Sequence, residues 1–237
     1  MTTARSVLAE LKGLGSASYK HVMEKHGARE PFYGVKISEL KKIQKRLGGT
    51  AHELALELWA SGNYDAMYLA GLLADDARMT KADLARWLRE AYCGGLAEYT
   101  VPWVAAGSPH GYDLARKWID SPKELVASAG WATLSSLVTT KPDSELDLPE
   151  LKRLLARVVR EIHGAPNRVR YAMNGFVIAV GGAVASLTAE ALEAASKIGA
   201  VEVDMGDTSC KVPGAFEYIE KIRKHGSLGK KRKSAKC

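Results

Sequence analysis

Helix-forming segments follow one another along almost the whole chain of 237 residues, and capping residues separate them. Asn63 precedes YDAMYLAGLLADDA and Thr80 precedes KADLARWLREAY, while Thr50 precedes AHELALELWASG with Glu53 in the position of a capping box. Only Val201–Met205 alternates as a strand does, and one such segment cannot form a sheet. The sequence therefore predicts an all-α fold of about twelve helices.

The sequence also repeats itself. Residues 54–73, LALELWASGNYDAMYLAGLL, align with the segment 59 residues later, which pairs Trp59 with Trp118, Asp65 with Glu124 and Gly71 with Gly130. A weaker third copy spans Leu151–Gly181. Each copy is typical of a helix, a short turn and a second helix that carries small residues where helices can approach closely. Stacked antiparallel pairs of this kind predict an α-solenoid of the HEAT or armadillo type. The alternative is a nonrepetitive helical bundle.

The basic charge is concentrated at the C-terminus. Lys and Arg number 34 against 27 Asp and Glu, for a formal net charge of +7. Eight of these cations lie in the last 17 residues, which contain no acid, so the remainder has 26 basic and 27 acidic residues. We therefore predict one domain over residues 1–226 and a basic tail over 227–237 that contacts phosphates. A disordered, solubilising tail is the alternative.

Several classes of protein are disfavoured. No apolar run approaches the ~18 residues that span a bilayer, and the N-terminus has no unbroken apolar stretch of a secretion signal. Cys93, Cys210 and Cys237 lack CxxC spacing, and neither metal-ligand spacing nor a phosphate-binding glycine loop is present. We expect a cytoplasmic monomer without a metal or cofactor. The turn-rich segment Asp204–Lys211 is interpreted as a structural connection, with a metal or nucleophile site at its carboxylates and Cys210 as the alternative.

Several segments of the chain resemble the AlkC/AlkD-type DNA alkylation repair proteins. They are GVKISELKKIQKRLG, YDAMYLAGLLAD, RVRYAMNGFVIAVG and, near the end, VDMGDTSCK and GKKRK. The resemblance covers Tyr33 to Cys237. It implies a C-shaped HEAT-like solenoid that cradles double-stranded DNA. In active members it implies a glycosylase that removes cationic alkylated purines such as N3-methyladenine and N7-methylguanine. A carboxylate beside the sugar would then stabilise the oxocarbenium-like transition state.

The resemblance places the family's catalytic carboxylate on or beside Glu98, in GGLAEYTVPWVAAG. Just upstream, where active members have tryptophan, this chain has Cys93-Gly94-Gly95. The Arg of the next repeat, and the Trp and Arg of the one after it, are also missing at their aligned positions. These departures favour a second hypothesis, in which the protein holds DNA without breaking a bond.

Three aromatic residues are candidates for a lesion pocket. Tyr99 and Trp103 are four residues apart and so share a helix face, while Trp131 is surrounded by small residues in VASAGWATLSSL. Packing in the core is the alternative for both tryptophans, and a solvated position on the surface is the alternative for Glu98. Pro102 makes the local helix geometry uncertain.

The candidates for contacts with the DNA backbone lie in two places. Two guanidinium groups and exposed amides at the start of a helix suit a phosphate, with Asn167 as a simple N-cap in the alternative. The residues at this helix are Arg168, Arg170 and Asn174, and those of the tail are Lys230, Lys231, Arg232 and Lys233.

Two function classes follow. The first is a DNA glycosylase with Glu98 as its electrostatic catalyst. The second is a noncatalytic HEAT-like module that binds duplex or branched DNA, or a protein-binding scaffold.

Overall fold

Helices supply the regular structure of residues 2–236, the part of the chain that the computed structural model describes. Within this part there are thirteen α-helices and no strand. The predicted all-α class is thus confirmed, and residues 201–205 belong to neither a helix nor a strand.

The chain forms two compact units. The first comprises the chain up to His110 with residues 206–208 and Lys236, and the second comprises Gly111–Met205 and Ser209–Ala235. The helices of the first unit are α1 (Ala4–Leu14), α2 (Ala17–Lys25), α3 (Ile37–Arg46), α4 (His52–Ala60), α5 (Tyr64–Leu73), α6 (Lys81–Glu90) and α7 (Val101–Gly107), which follows a π-helical turn, Gly95–Thr100. Those of the second unit are α8 (Gly111–Trp118), α9 (Glu124–Thr140), α10 (Leu148–Glu161), α11 (Asn167–Ala183), α12 (Thr188–Ile198) and α13 (Ala215–Lys224).

Consecutive helices pack as pairs in the first two copies of the repeat, whereas in the third copy α10 packs more on α12 than on α11. α4 packs on α5 in the first unit, and α8 packs on α9 in the second, where α9 also lies along α11. Glycines mark the closest approaches. A Cβ on Gly130 of α9 would lie 2.6 Å from the backbone nitrogen of Ile119, and one on Gly71 of α5 would lie 2.3 Å from the methyl carbon of Thr100. The expectation that small residues in the second helix permit close packing is confirmed at both positions.

A carboxylate at the start of the second helix binds backbone amides in both repeats. Asp65, which is fully buried, accepts hydrogen bonds from the amides of Tyr33, Gly34 and Val35 at 2.6, 3.2 and 2.9 Å. Burial raises the pKa of Asp65, and the three amides oppose that shift. The equivalent Glu124 accepts a hydrogen bond of 2.6 Å from the amide of Arg168, in the first turn of α11. The aligned acids therefore have the same structural task.

Among residues 2–236, no single helix is long and apolar enough to cross a membrane. α11 and the stretch Ala185–Ile198 meet the length and hydropathy required only when taken together, and they are bent by 115° at their junction.

Candidate functional site

The predicted catalytic segment lies on the π-helical turn of the first unit. The amide of Val101 donates to the carbonyl of Leu96, five residues back, and the Thr100 hydroxyl donates to the carbonyl of Gly95 at 3.1 Å. Pro102 has no amide hydrogen, so the carbonyl of Glu98 cannot receive the bond that an α-helix would supply from that position. Gly71 leaves room for Thr100, and the widened turn therefore fits closely against α5. π-helical turns of this kind are frequent at functional sites.

The turn presents Glu98 and Tyr99 very differently to solvent. Glu98 is 7% exposed and Tyr99 is 42% exposed. Burial raises the pKa of the nearby Cys93 thiol, and the Glu98 carboxylate adds a smaller effect in the same direction. A buried carboxylate beside an exposed aromatic ring is an arrangement that could stabilise positive charge next to a stacked base.

Trp103 connects this turn to the aromatic core of the first unit. Its ring contacts Tyr99 edge to face, with centroids 6.1 Å apart, and contacts Tyr68 at 5.5 Å with the rings perpendicular. The predicted pairing of Tyr99 with Trp103 is therefore present. Trp103 itself is only 7% exposed, so it supports Tyr99 from below and offers little surface of its own.

Sequence reasoning missed the aromatic residues beneath this site. The ring centroids of Tyr64 and Tyr68 on α5 lie 6.4 Å apart. The Tyr64 ring also meets Phe32 edge to face, with centroids 6.5 Å apart. A Cβ on Gly95 would lie 2.2 Å from the Tyr64 hydroxyl, so this glycine lets the π-helical turn approach α5. The signal was available in YDAMY, where the four-residue spacing places both tyrosines on one helix face.

Trp131 belongs to the core of the second unit, the alternative that the sequence left open. It has no exposed surface, and its ring meets Phe176 of α11 at 5.2 Å. The guanidinium of Arg157 lies 5.7 Å from the centre of the same ring. The structure therefore gives Trp131 a packing role and leaves no face on which a flipped base could stack.

The start of α11 differs from the predicted phosphate site. The carboxylate of Glu124 already holds the amide of Arg168, and the amide of Arg170 donates to the carbonyl of Pro166 at 3.0 Å. The guanidinium of Arg168 lies 4.7 Å from the centre of the Tyr171 ring. The amides are thus occupied, and both arginines are half-buried, with the Arg168 guanidinium also 3.6 Å from the Met205 sulfur. A phosphate at this place would be bound by the two guanidinium groups and not by the amides.

Asn174 and Asn167 have structural roles in the second unit. Asn174 is fully buried and donates to the carbonyl of Pro213 at 2.8 Å, so it presents no surface to a DNA backbone. Asn167 is the first residue of α11, and Pro166 is its N-cap. The Asn167 amide instead donates to the carbonyl of Asp204 at 2.8 Å and accepts from its amide at 2.7 Å.

The turn-rich segment Asp204–Lys211 shows no metal-binding geometry. Gly206 has a φ of +64°, which allows the sharp turn, and Asp207 forms an ion pair of 2.6 Å with Lys25 in the first unit. This pairing lowers the pKa of Asp207. Within residues 2–236, no three His, Cys, Asp or Glu side chains meet in a way that could hold a metal ion.

The four predicted tail cations are not equivalent. Lys230, Arg232 and Lys233 are exposed. Lys231 is only 20% exposed, because its ammonium group forms an ion pair of 2.8 Å with Asp143. Sequence alone treated the four as one cluster, since charge and spacing do not show which side chain turns inward.

Lys236, also missed by the sequence reasoning, forms a second inward ion pair. Its ammonium group lies 2.8 Å from Asp76 and donates to the carbonyl of Ala74 at 2.6 Å, and the side chain is 12% exposed. Burial raises the pKa of Asp76 to about 6, although Lys236 acts in the opposite direction. A Cβ on Gly107 would lie 2.1 Å from the Asp76 carboxylate, so the carboxylate is closely enclosed.

This ion pair predicts a pH-dependent loss of stability in Lys236→Met. Because the folded pKa of Asp76 is raised, its contribution to stability is full below the unfolded value of 3.8 and declines as pH rises towards 6. Removal of the cation extends that decline to higher pH. We expect a small deficit near pH 5, from the lost bond to the Ala74 carbonyl, and a larger decrease in the urea concentration of unfolding at pH 8. Lys233→Met is the matched control and should show no pH-dependent difference; an equal deficit at both pH values would contradict the assignment.

Comparison with known proteins identifies a family and several relatives of this chain. The family model described as "DNA alkylation repair enzyme" matches residues 7–219. Two Listeria proteins match over 229 residues, which is 94% of this chain and 98% of each relative: the uncharacterized protein Lin0241 of Listeria innocua at 36% identity and the uncharacterized protein Lmo0209 of Listeria monocytogenes at 34%.

A solved structure is also similar over the full length of both chains, with a TM-score of 0.91 and 36% identity. The protein in that structure is described as belonging to "a new family of proteins related to the HEAT-like repeat DNA glycosylases with affinity for branched DNA structures". The likeness confirms the predicted fold class, an α-solenoid of stacked helix pairs.

Proposed function

Because the chain belongs to the DNA alkylation repair enzyme family, we propose that it binds DNA and prefers branched DNA to a linear duplex. The observation that carries this proposal is the full-length likeness to a solved protein described as having affinity for branched DNA structures. The burial of Trp131 also supports it, since a holding module needs no accessible lesion pocket there.

The second unit offers the cations that such binding requires. Arg168 and Arg170 lie in the first turn of α11, and Lys230, Arg232 and Lys233 are exposed in the tail. Guanidinium and ammonium groups that neutralise phosphates release counterions, so affinity falls as salt concentration rises.

The test of this proposal is fluorescence anisotropy with a labelled four-way junction titrated at several salt concentrations. We expect binding that weakens steeply with salt, and a further decrease of affinity in the double variant Arg168→Gln, Arg170→Gln. Glu193→Gln, on the exposed face of α12, is the control and should bind as the wild type does. Binding that is weak and insensitive to salt would favour a protein partner in place of DNA.

A second candidate function is removal of cationic alkylated purines. The observation that favours it is the buried Glu98 beside the exposed Tyr99 on the π-helical turn. In this reaction the oxygen of water joins C1′ of the sugar as the C1′–N bond breaks. The purine leaves as a neutral base, and the proton of the attacking water passes to solvent. The Glu98 carboxylate would stabilise the positive charge that develops on the sugar.

Glu98→Gln tests this candidate directly. Wild type and variant are incubated with duplex DNA that contains N7-methylguanine and N3-methyladenine, and released base and retained DNA are both measured. If the protein is a glycosylase, the wild type releases the methylated bases. The rate of release should then fall by about 100-fold or more in the variant, the range found when one electrostatic stabiliser is removed. Retention of DNA without release by the wild type removes the candidate and leaves the binding function in place.

A further inference from the structure

The C-terminal basic segment, residues 229–236, is docked on the protein through its backbone. The amide of Gly229 donates to the carbonyl of Gly182 at 2.9 Å, and the amide of Arg232 donates to that of Thr139 at 2.7 Å. Ala235 is buried. The acceptors Gly182 and Thr139 lie in the last turns of α11 and α9, where helix carbonyls lack partners within their own helix. The segment therefore acts in part as a cap for these two helices.

Lys231 completes the cap on α9. Its ammonium group donates to the carbonyl of Val138 at 2.8 Å in addition to its ion pair with Asp143. A cation is favourable at this position because the C-terminus of a helix carries partial negative charge. With two partners and little exposure, the Lys231 ammonium group is held against the protein.

Lys236 makes the equivalent contact in the first unit. Its acceptor is the carbonyl of Ala74, the residue that follows α5, and its ion-pair partner is Asp76. Both lysines of this kind thus join a helix-end carbonyl and a nearby carboxylate. Two of the five cations in the segment are used in this way.

The other three cations, Lys230, Arg232 and Lys233, have exposed side chains on a segment whose backbone is bonded at Gly229 and Arg232. The Arg232 guanidinium also donates to the carbonyl of Ala235 at 3.3 Å. Lys230 and Lys233 have no ion-pair partner among residues 2–236. The segment has no acid to repel a polyanion. Since the backbone is ordered before binding, contact with a phosphate costs only side-chain entropy.

We propose that the C-terminal basic segment has two separate functions: Lys231 and Lys236 anchor it to helix ends, and Lys230, Arg232 and Lys233 form a preordered site for DNA phosphates. This inference rests on the proposed DNA binding and assigns a part of that interface. Lys231, which charge alone groups with the phosphate contacts, is a positioning residue.

Two variants with opposite signatures test the assignment. The triple variant Lys230→Gln, Arg232→Gln, Lys233→Gln keeps the backbone bonds and both anchors. We expect its melting temperature to stay close to that of the wild type, since the loss of the bond from the Arg232 guanidinium to Ala235 leaves both anchors in place. For the labelled four-way junction, the plot of log affinity against log salt should become shallower by about 0.9 for each phosphate that the variant no longer neutralises, on the duplex scale. Lys231→Met should lower the melting temperature and leave the salt slope of the folded protein unchanged, since its ammonium group does not reach the DNA.

The outcomes separate this inference from the proposed function. Wild-type protein that fails to bind the junction overturns both. Wild-type protein that binds, with the same slope in the triple variant, overturns the phosphate site and leaves the DNA-binding function standing. A shallower slope with unchanged melting temperature in Lys231→Met would contradict its role as an anchor.

Discussion

Replacement of Trp131 by alanine is expected to lower the free energy of unfolding by about 3–5 kcal/mol, the range for large aromatic residues in a core. The indole projects from α9 and is fully buried against Phe176 of α11, so its removal leaves a cavity where the two longest helices of the second unit pack. Urea unfolding followed by circular dichroism measures this change. Below the unfolding transition, we expect the variant to keep its affinity for DNA, since no part of the ring is exposed.

Tyr99→Ala provides the matched aromatic control. Tyr99 is exposed and meets Trp103 edge to face, so we expect a decrease of about 1 kcal/mol or less. The two variants should therefore differ strongly in stability. A Trp131→Ala protein that is as stable as the wild type but no longer binds DNA would show that the ring is a ligand contact.

Asp65→Asn is expected to cost about 3 kcal/mol of folding free energy. The buried carboxylate accepts three backbone hydrogen bonds from residues 33–35, and bonds to a charged acceptor are worth about 1.5–3 kcal/mol each. Asparagine fills the same volume but replaces one acceptor oxygen by an NH₂ group, which then faces backbone donors. Tyr33 and Gly34 share Oδ2, whereas Val35 binds Oδ1. Hydrogen exchange should therefore accelerate on the side where the NH₂ group replaces the acceptor oxygen.

Glu193→Gln is the control for Asp65→Asn. Glu193 pairs with Lys197 at 2.7 Å on the exposed surface of α12, where such a pair is worth about 0.5 kcal/mol or less. If Asp65→Asn unfolded at the same urea concentration as this control, the carboxylate would not be holding the segment 33–35.

Much of the fold follows from local sequence signals. The N-caps at Asn63 and Thr80 are confirmed, since their side chains accept hydrogen bonds from the amides of Ala66 at 3.1 Å and Asp83 at 3.0 Å. The predicted cap at Thr50 was wrong. The helix starts at His52 with Ala51 as its N-cap, and the Ala51 amide donates to the carbonyl of Leu73 in α5. A contact between helices displaced the local signal there.

The candidate site was only partly predictable because its geometry depends on partners distant in sequence. The pairing of Tyr99 with Trp103 follows from helical spacing. The π-helical turn, in contrast, combines a missing amide at Pro102 with the space left by Gly71 and Gly95 against α5. In the same way, the repeat pairs Asp65 with Glu124, whereas their amide partners at residues 33–35 and 168 become visible only in the folded chain.

The most direct test of the central claim is a competition between branched and linear DNA. A labelled four-way junction is bound to the protein and displaced by unlabelled junction or by linear duplex with the same number of phosphates, at one fixed salt concentration. We predict that displacement requires substantially more linear duplex than junction, because the protein is proposed to recognise the branch as well as the backbone charge. Equal displacement by the two competitors would contradict the proposed preference and reduce the interaction to general affinity for phosphates.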